Sequence, residues 1–307
     1  MPAVILTGDR IDFDGNAMHP LVAIVILNWN NASDTLACLE SVFRMDYPQF
    51  HVLVVDNHST DDSVARIRER FPVIDLLVTG ENLGYAGGNN AGIERALTSD
   101  AAYVCVLNND TVVEPAFLSV LVGAMERDRR IGLAGPLMYY FEPPALIFSA
   151  GCAIDWRGGI VHHQGMGLTL SDEAAVPYRH SDAVDAIAGC GFLVSREAIG
   201  DVGLLDASYF LNFEDIDWCV RMTNSGYRVA YVPEAVLYHK VSATIGPDSP
   251  GNTYYMTRNA LHFFARHGPN RTLKPAYADE KYKRHRRAAL RAVGDFLRGK
   301  TGPAAPV

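Results

Sequence analysis

Three acids fall within four residues at Glu214-Asp215-Ile216-Asp217, and Trp218, Cys219, Val220 and Arg221 follow directly. On a half-apolar helix such a cluster is costly unless its members are paired or used. Asp217 and Arg221 stand at i and i+4 and can pair, which is a structural role. Glu214 and Asp215 remain at the helix start, where Asp215 can act as a general base; a first turn that only suits the helix dipole is the alternative. A second group, Asn108-Asn109-Asp110, follows an apolar stretch. Its carboxylate and two amide oxygens suit a hard cation beside phosphates, or a plain turn. Asp56 closes another apolar run, and its carboxylate can accept the imide N–H of uracil or thymine, or cap a turn. Gly84-Tyr85-Ala86-Gly87-Gly88-Asn89-Asn90 reads as a glycine-rich turn into a helix, able to set backbone N–H groups against a diphosphate. It is not the dinucleotide fingerprint, which would follow the first strand rather than the third.

The elements that place these residues are readable from periodicity. Residues 21–27 form an unbroken apolar run ending in Asn28-Trp29-Asn30, the pattern of a strand buried on both faces. Leu36, Leu39 and Phe43 follow at helical spacing, with Ser33 or Asp34 placed to cap. A second strand at 52–55 leads to Asp56, and the next helix carries Val64, Ile67 and Phe71 on one face. Short strands at 74–78 and 103–107 flank a helix containing Ile93 and Leu97. Strand and helix alternate from 21 to 110, which predicts a parallel sheet covered by helices, with ligands at the carboxyl ends of the strands. All four of those ends are polar. After a helix at 116–127 and a strand at 131–135, residues 136–185 read as loops and hairpins. Order returns at 186–196, at the acidic helix start, and at a strand over 229–232.

Composition narrows the function. The chain has 307 residues, 49% hydrophobic and 20% charged, with a net charge of −8. That acidity argues against nucleic-acid binding, which needs a basic footprint. Residues 281–300 differ, with eight Lys or Arg against one Asp. On a helical wheel Ala289, Leu290, Val293, Phe296 and Leu297 share one face, opposite Arg284, Arg287, Arg291 and Arg298. Such a helix can touch the inner face of a membrane, or pack on its own domain or on a second subunit as a homodimer. The five cysteines form no CxxC pair and read as small buried side chains in a reducing compartment. No apolar run reaches the length of a membrane span and no signal-peptide pattern opens the chain, so a cytoplasmic location is expected.

Together the motifs resemble family 2 glycosyltransferases. Val25-Ile26-Leu27-Asn28-Trp29-Asn30, Val54-Val55-Asp56-Asn57-His58-Ser59-Thr60-Asp61, Asn82-Leu83-Gly84-Tyr85-Ala86-Gly87-Gly88-Asn89-Asn90, Leu107-Asn108-Asn109-Asp110 and Phe213-Glu214-Asp215-Ile216-Asp217 occur in that family's order. The rhamnosyltransferase-like branch is the most similar, and the stretch from Gly189 to Arg196 and Tyr238-His239-Lys240 fit it too. The resemblance implies an α/β GT-A fold, a mainly parallel Rossmann-like sheet flanked by helices, with a loop-rich acceptor half and C-terminal helices. The implied layout is an extension at 1–20, a catalytic domain at 21–245 (nucleotide half 21–135, acceptor half 136–245) and a helical tail at 246–307.

The implied reaction is inverting transfer of a sugar, L-rhamnose by the look of the branch, from a uridine or thymidine diphosphate. The acceptor would be a hydroxyl of a glycan or lipid-linked molecule in cell-surface polysaccharide synthesis. Asp56 would bind the base, Asn28 and Asn30 would line the nucleoside pocket, and Asn82, Gly84 and Asn89 would follow the ribose and diphosphate. Asn57 and Asn109 belong to the same donor-binding set. Asp110 would hold a divalent cation, Mg²⁺ or Mn²⁺, with His239 as second ligand or phosphate contact. Asp215 would be the base, with Glu214 next in line. One departure stands out: the family's metal motif commonly begins with an acid, and here position 108 is Asn. It implies a cation held weakly or partly replaced by basic side chains. A noncatalytic sugar-nucleotide-binding protein of the same fold is the competing reading.

Overall fold

The run expected at 21–27 forms β1 (Val22–Asn28), whose core positions have no solvent exposure. The computed structural model describes residues 19–180, 182–241, 248–268 and 284–304. The extension expected at 1–20 therefore lies almost wholly outside the described residues. Helix α1 (Ala32–Val42) crosses to β2 (Phe50–Asp56), α2 (Ser63–Arg70) to β3 (Asp75–Val78), and α3 (Gly84–Ala96) to β4 (Tyr103–Asn108). These four strands lie side by side and parallel in the order β3-β2-β1-β4. The register sets Asn28 beside Asp56 and Leu27 beside Asn108, so the polar strand ends share one edge. The cap of α1 is Asn31, two residues before Ser33 and three before Asp34, because its Oδ1 accepts from the Asp34 N–H at 3.3 Å.

Beyond β4 the sheet is mixed. After β5 (Thr111–Val113) and α4 (Phe117–Arg127), β6 (Ile131–Tyr140) runs five residues past its expected end, through Pro136. The small strands β7 (Ile147–Ser149), β8 (Cys152–Asp155), β9 (Ile160–His163) and β10 (Asp182–Ala183) organise part of the stretch read as loops. Strand β11 (Gly191–Ser195) inserts antiparallel between β4 and β6 and leads into α5 (Arg196–Val202). Helix α6 (Glu214–Asn224) carries the acids, and β12 (Arg228–His239) pairs parallel with β6. The strand expected over 229–232 continues past Pro233, which lacks a ladder donor, through a register shift between Val232 and Val236, with Val232 opposite Pro136. That continuation carries His239 to the site.

Helices α7 (Pro250–His267) and α8 (Arg286–Leu297) follow. They pack through Tyr254 and Tyr255 against Ala288 and Ala292, and the Tyr254 hydroxyl reaches Asp295 at 3.0 Å. The wheel's apolar face is therefore split: Ala289 is buried, while Leu290 and Leu297 remain 55% and 74% exposed. Among the described residues no helix is long and apolar enough to cross a membrane.

Candidate active site

A cavity of about 480 Å³ opens at the carboxyl ends of the parallel strands. Asn57, Asn82, Gly84, Asn109, Asp110, Glu214, Asp215 and His239 line it. Asn28, Asn30, Asp56 and Asn89 do not, and their contacts show what they do instead. Asp56 is fully buried, with Oδ2 accepting from Asn28 Nδ2 at 2.7 Å and Oδ1 from the Ser59 N–H at 2.9 Å. The Oδ1 of Asn28 accepts from Thr35 at 2.7 Å, and that of Asn30 from the Thr60 N–H at 2.7 Å. These four side chains tie β1, α1 and the loop after β2 into one rim. Asn89 Nδ2 donates to the Tyr85 carbonyl at 3.0 Å, within α3.

The glycine-rich segment is the first half of a helix. Gly84 has φ +72°, and a Cβ there would lie 2.4 Å from the Phe210 carbonyl oxygen. A Cβ on Gly88 would lie 2.5 Å from Leu27 Cδ1, so this position lets α3 lie close on β1. The N–H groups expected to meet a diphosphate already have acceptors. Gly84 donates to Asn82 Oδ1 at 2.9 Å, and Tyr85 to the Phe210 carbonyl at 2.7 Å. Asn57 ties the same turn down, its Oδ1 accepting from the Leu83 N–H at 3.0 Å and its Nδ2 donating to the Gly84 carbonyl at 3.0 Å.

On one side of the cavity stand Asp110 and His239, brought together by the antiparallel pairing of β5 with β12. His239 Nε2 lies 3.2 Å from Asp110 Oδ1, and its Nδ1 lies 3.4 Å from Cys190 Sγ. Burial opposes charge on this imidazole, yet the Cys190 sulfur and the Asp110 carboxylate hold its pKa up at about 10. Asn109 donates through Nδ2 to Thr35 Oγ1 at 2.9 Å, which fastens the turn to α1. Asn108 Oδ1 is buried beside the cavity without a hydrogen-bond partner.

The acids of α6 face the same space. Asp217 turns away, bound by Arg221 at 2.7 Å and by His267 of α7 at 2.7 Å. Burial pushes its pKa up, but those partners pull it down further, and it stays ionised. Asp215 Oδ2 accepts from the Gly189 N–H at 2.6 Å and Oδ1 from the Ile216 N–H at 2.8 Å. Burial raises its pKa while these N–H groups oppose the rise. Glu214 is buried, its Oε2 has no partner, and burial together with the Asp215 charge pushes its pKa well above the carboxylate range. Of the two neighbours Glu214 is pushed up further, because it lacks the backbone N–H groups from Gly189 and Ile216 that oppose the rise at Asp215. The loop before them is strained. Phe210, Asn212 and Phe213 all have positive φ, +66°, +68° and +75°. Such conformations cost on the order of 1–3 kcal/mol each in a non-glycine residue and persist only when neighbours impose them.

A family profile described as Glycosyl transferase family 2 matches residues 23–190, more than half of the chain. The chain belongs to glycosyl transferase family 2. This glycosyltransferase is 32% identical over 211 residues to the N-acetylglucosaminyl-diphospho-decaprenol L-rhamnosyltransferase of Mycobacterium tuberculosis, covering 63% of this chain and 67% of that one. It is 25% identical over 255 residues to the dTDP-rhamnosyl transferase RfbF of Shigella flexneri, covering 80% of each. Its fold is the GT-A fold. The mannosyltransferase PcManGT from Pyrobaculum calidifontis, solved with GDP-Man and Mn²⁺, superposes with a TM-score of 0.57 at 17% identity, over 92% of this chain and 75% of that one. The profile match stops at Cys190, so Glu214, Asp215 and His239 lie beyond it.

The donor set can be tested against a divalent cation. Among the described residues no three His, Cys, Asp or Glu side chains gather into a metal cage. Asp110, His239 and the unpartnered Asn108 oxygen instead offer a partial shell. That fits an ion which takes its other ligands from a diphosphate. Among the cavity residues that sequence reasoning missed are three polar or aromatic ones, Tyr85, Phe148 and His163. Tyr85, whose hydroxyl donates to the Gly189 carbonyl, was hidden in a motif read for its glycines. Phe148 and His163 lay in the stretch read as loops; the Phe148 ring centre is 5.0 Å from those of both His163 and His239.

Proposed function

We propose that this glycosyltransferase is an inverting rhamnosyltransferase acting on a uridine or thymidine diphosphate donor. The observation that carries the reading is the pairing, in one cavity, of an Asp215 carboxylate aimed by two backbone N–H groups with the Asp110–His239 pair. Inverting transfer needs a base on one side of the anomeric carbon and charge neutralisation on the other. Asp215 takes the proton of the acceptor hydroxyl. Asp110 and the Asn108 oxygen would hold the cation, which when bound would neutralise charge on the leaving diphosphate. His239, whose proton Asp110 and Cys190 favour, would instead meet the phosphate oxygens directly as an imidazolium, and would join the cation's ligands only if deprotonated. The rim of Asn28, Asn30 and Asp56 shapes the base end, with Asn57, Asn82, Gly84 and Asn109 building the donor wall and Asn89 bracing α3 behind it.

The donor sugar is inferred from the relatives, of which one is named for L-rhamnosyl transfer and the other for dTDP-rhamnose. The acceptor is a hydroxyl of a glycan or lipid-linked glycan in cell-surface polysaccharide synthesis, reached at the inner face of the membrane. Residues 21–135 form the nucleotide half and 136–245 the acceptor half. The test is a thermal-shift panel of nucleotide sugars with Mg²⁺ or Mn²⁺, followed by donor hydrolysis. A ligand at 100 times its Kd adds about 2.7 kcal/mol. dTDP-rhamnose should give the largest shift and be turned over. A shift without any hydrolysis or transfer would favour a noncatalytic binding protein; no shift from any nucleotide sugar would refute both.

A further inference from the structure

The loop that aims Asp215 is held in its strained form by two adjacent side chains of α7, which lies outside the matched family region. Asn259 is fully buried, and its Nδ2 donates to three carbonyls in succession, Tyr209 at 2.9 Å, Leu211 at 2.7 Å and Asn212 at 2.9 Å. Arg258 is equally buried. Its Nε donates to Asn259 Oδ1 at 2.9 Å, which fixes the amide so that the nitrogen must face the loop. The same guanidinium reaches the Tyr209 carbonyl at 3.0 Å and the Gly302 carbonyl at 2.6 Å, and lies over the rings of Tyr254 and Tyr255 at 5.4 and 5.1 Å. From the other side, the Phe210 carbonyl accepts from the Tyr85 N–H. The loop thus sits between the start of α3 and the middle of α7.

We propose that Asn259 and Arg258 are positioning residues that clamp the Phe210–Phe213 loop and thereby fix where α6 presents Asp215 to the acceptor. Without the clamp, three non-glycine residues with positive φ would relax toward ordinary backbone. The first turn of α6 begins at the next residue and would move with them. Helix α8 takes part through the segment after it, since Gly302 completes the Arg258 fork. The C-terminal helical pair therefore belongs to the catalytic apparatus.

The inference rests on the role proposed for Asp215, so its test reads the loop and the chemistry separately. Asn259→Asp keeps the shape but sets acceptor oxygens against three carbonyls; Arg258→Lys keeps the charge over the tyrosines and loses the fork. Hydrogen exchange of peptides spanning residues 206–217, UDP and dTDP affinity with Mn²⁺, and the kcat and KM of donor hydrolysis are measured on the full chain. Both variants should speed exchange in that segment about tenfold and leave β1–β4 unchanged. They should lower kcat about a hundredfold, the loss expected from roughly 1 Å of misplacement, with nucleotide affinity nearly constant. Unchanged exchange in either folded variant overturns the clamp. So does faster exchange with kcat near wild type, or a parallel fall of kcat, affinity and melting temperature. Should Asn259→Asp not fold, Arg258→Lys decides by the same criteria. A wild-type protein without turnover would refute the base assignment instead, and exchange would still judge the clamp.

Discussion

Replacing Asp215 by Asn tests the base directly, and the structure shows what that change costs apart from chemistry. Each carboxylate oxygen accepts one backbone N–H, from Gly189 and from Ile216. An amide has a single oxygen, so its NH₂ must confront one of those donors. Losing that bond and leaving an N–H unmatched costs about 1–3 kcal/mol. A domain with about 5–15 kcal/mol of stability remains folded after such a loss. The chemical effect is separate and larger. A positioned base contributes about 10²–10⁴ in rate, or roughly 3–5.5 kcal/mol of barrier. Single-turnover transfer should therefore fall by that factor, while melting falls by a few degrees and UDP or dTDP affinity in calorimetry is nearly unchanged. The wild-type acid limb should lie above that of an ordinary Asp, since burial raises the Asp215 pKa. If Asp215→Asn keeps more than about a tenth of wild-type turnover, Asp215 is not the base. If nucleotide affinity collapses instead, the residue is a donor ligand and Glu214 is next in line.

The other predictions follow from the same site. Glu214 holds its proton in the folded state above the pH where an unfolded Glu loses it, so its contribution is intact at low pH and stability is lost as pH rises, by about 1.4 kcal/mol per unit of pKa separation. Glu214→Gln should thus melt higher than wild type at pH 8 and equally at pH 4; an identical difference at both values would refute a protonated Glu214. Asp110→Asn should abolish stimulation by Mn²⁺ with little change in the melting temperature without metal, and full wild-type activity in excess EDTA would show that His239 serves the diphosphate alone. Leu290→Gln with Leu297→Gln should reduce flotation with anionic liposomes without loosening α8, because both side chains already face solvent. Equal flotation would end the membrane reading. Deleting α8 would be a poorer test, because it would also remove the Gly302 contact to Arg258.

Local pattern was informative wherever the physical cause is local. The apolar runs behind β1, β2 and β4 reflect burial on both faces, and the i,i+4 spacing of Asp217 and Arg221 forms the ion pair it suggests. It failed where the cause is a distant partner. The glycines at 84–88 look like a phosphate cradle, but what they answer to is a carbonyl at Phe210 and a methyl at Leu27. The wheel for α8 ranked side chains by hydrophobicity. The real contact with α7 takes its alanines, because the tyrosines opposite already fill the space and only small residues let the helices approach.

The acid site shows why the match to the family ends before the chemistry does. The match covers residues 23–190, which hold β1 to β4 and the polar strand ends, features that hydrophobic pattern and turn residues can specify. The acids need an aimed helix start, and here the aim depends on backbone carbonyls at 209, 211 and 212 meeting one amide 47 to 50 residues later. Carbonyls have no sequence signature. The trace is Arg258-Asn259, a charged and an amide side chain that are both buried, set among Tyr254, Tyr255, Leu261, Phe263 and Phe264. A buried polar pair is more informative than any number of buried leucines, because it must have partners. In α7 such a pair calls for an irregular, carbonyl-rich loop nearby, and the loop that leads into Glu214 and Asp215 is the one it meets.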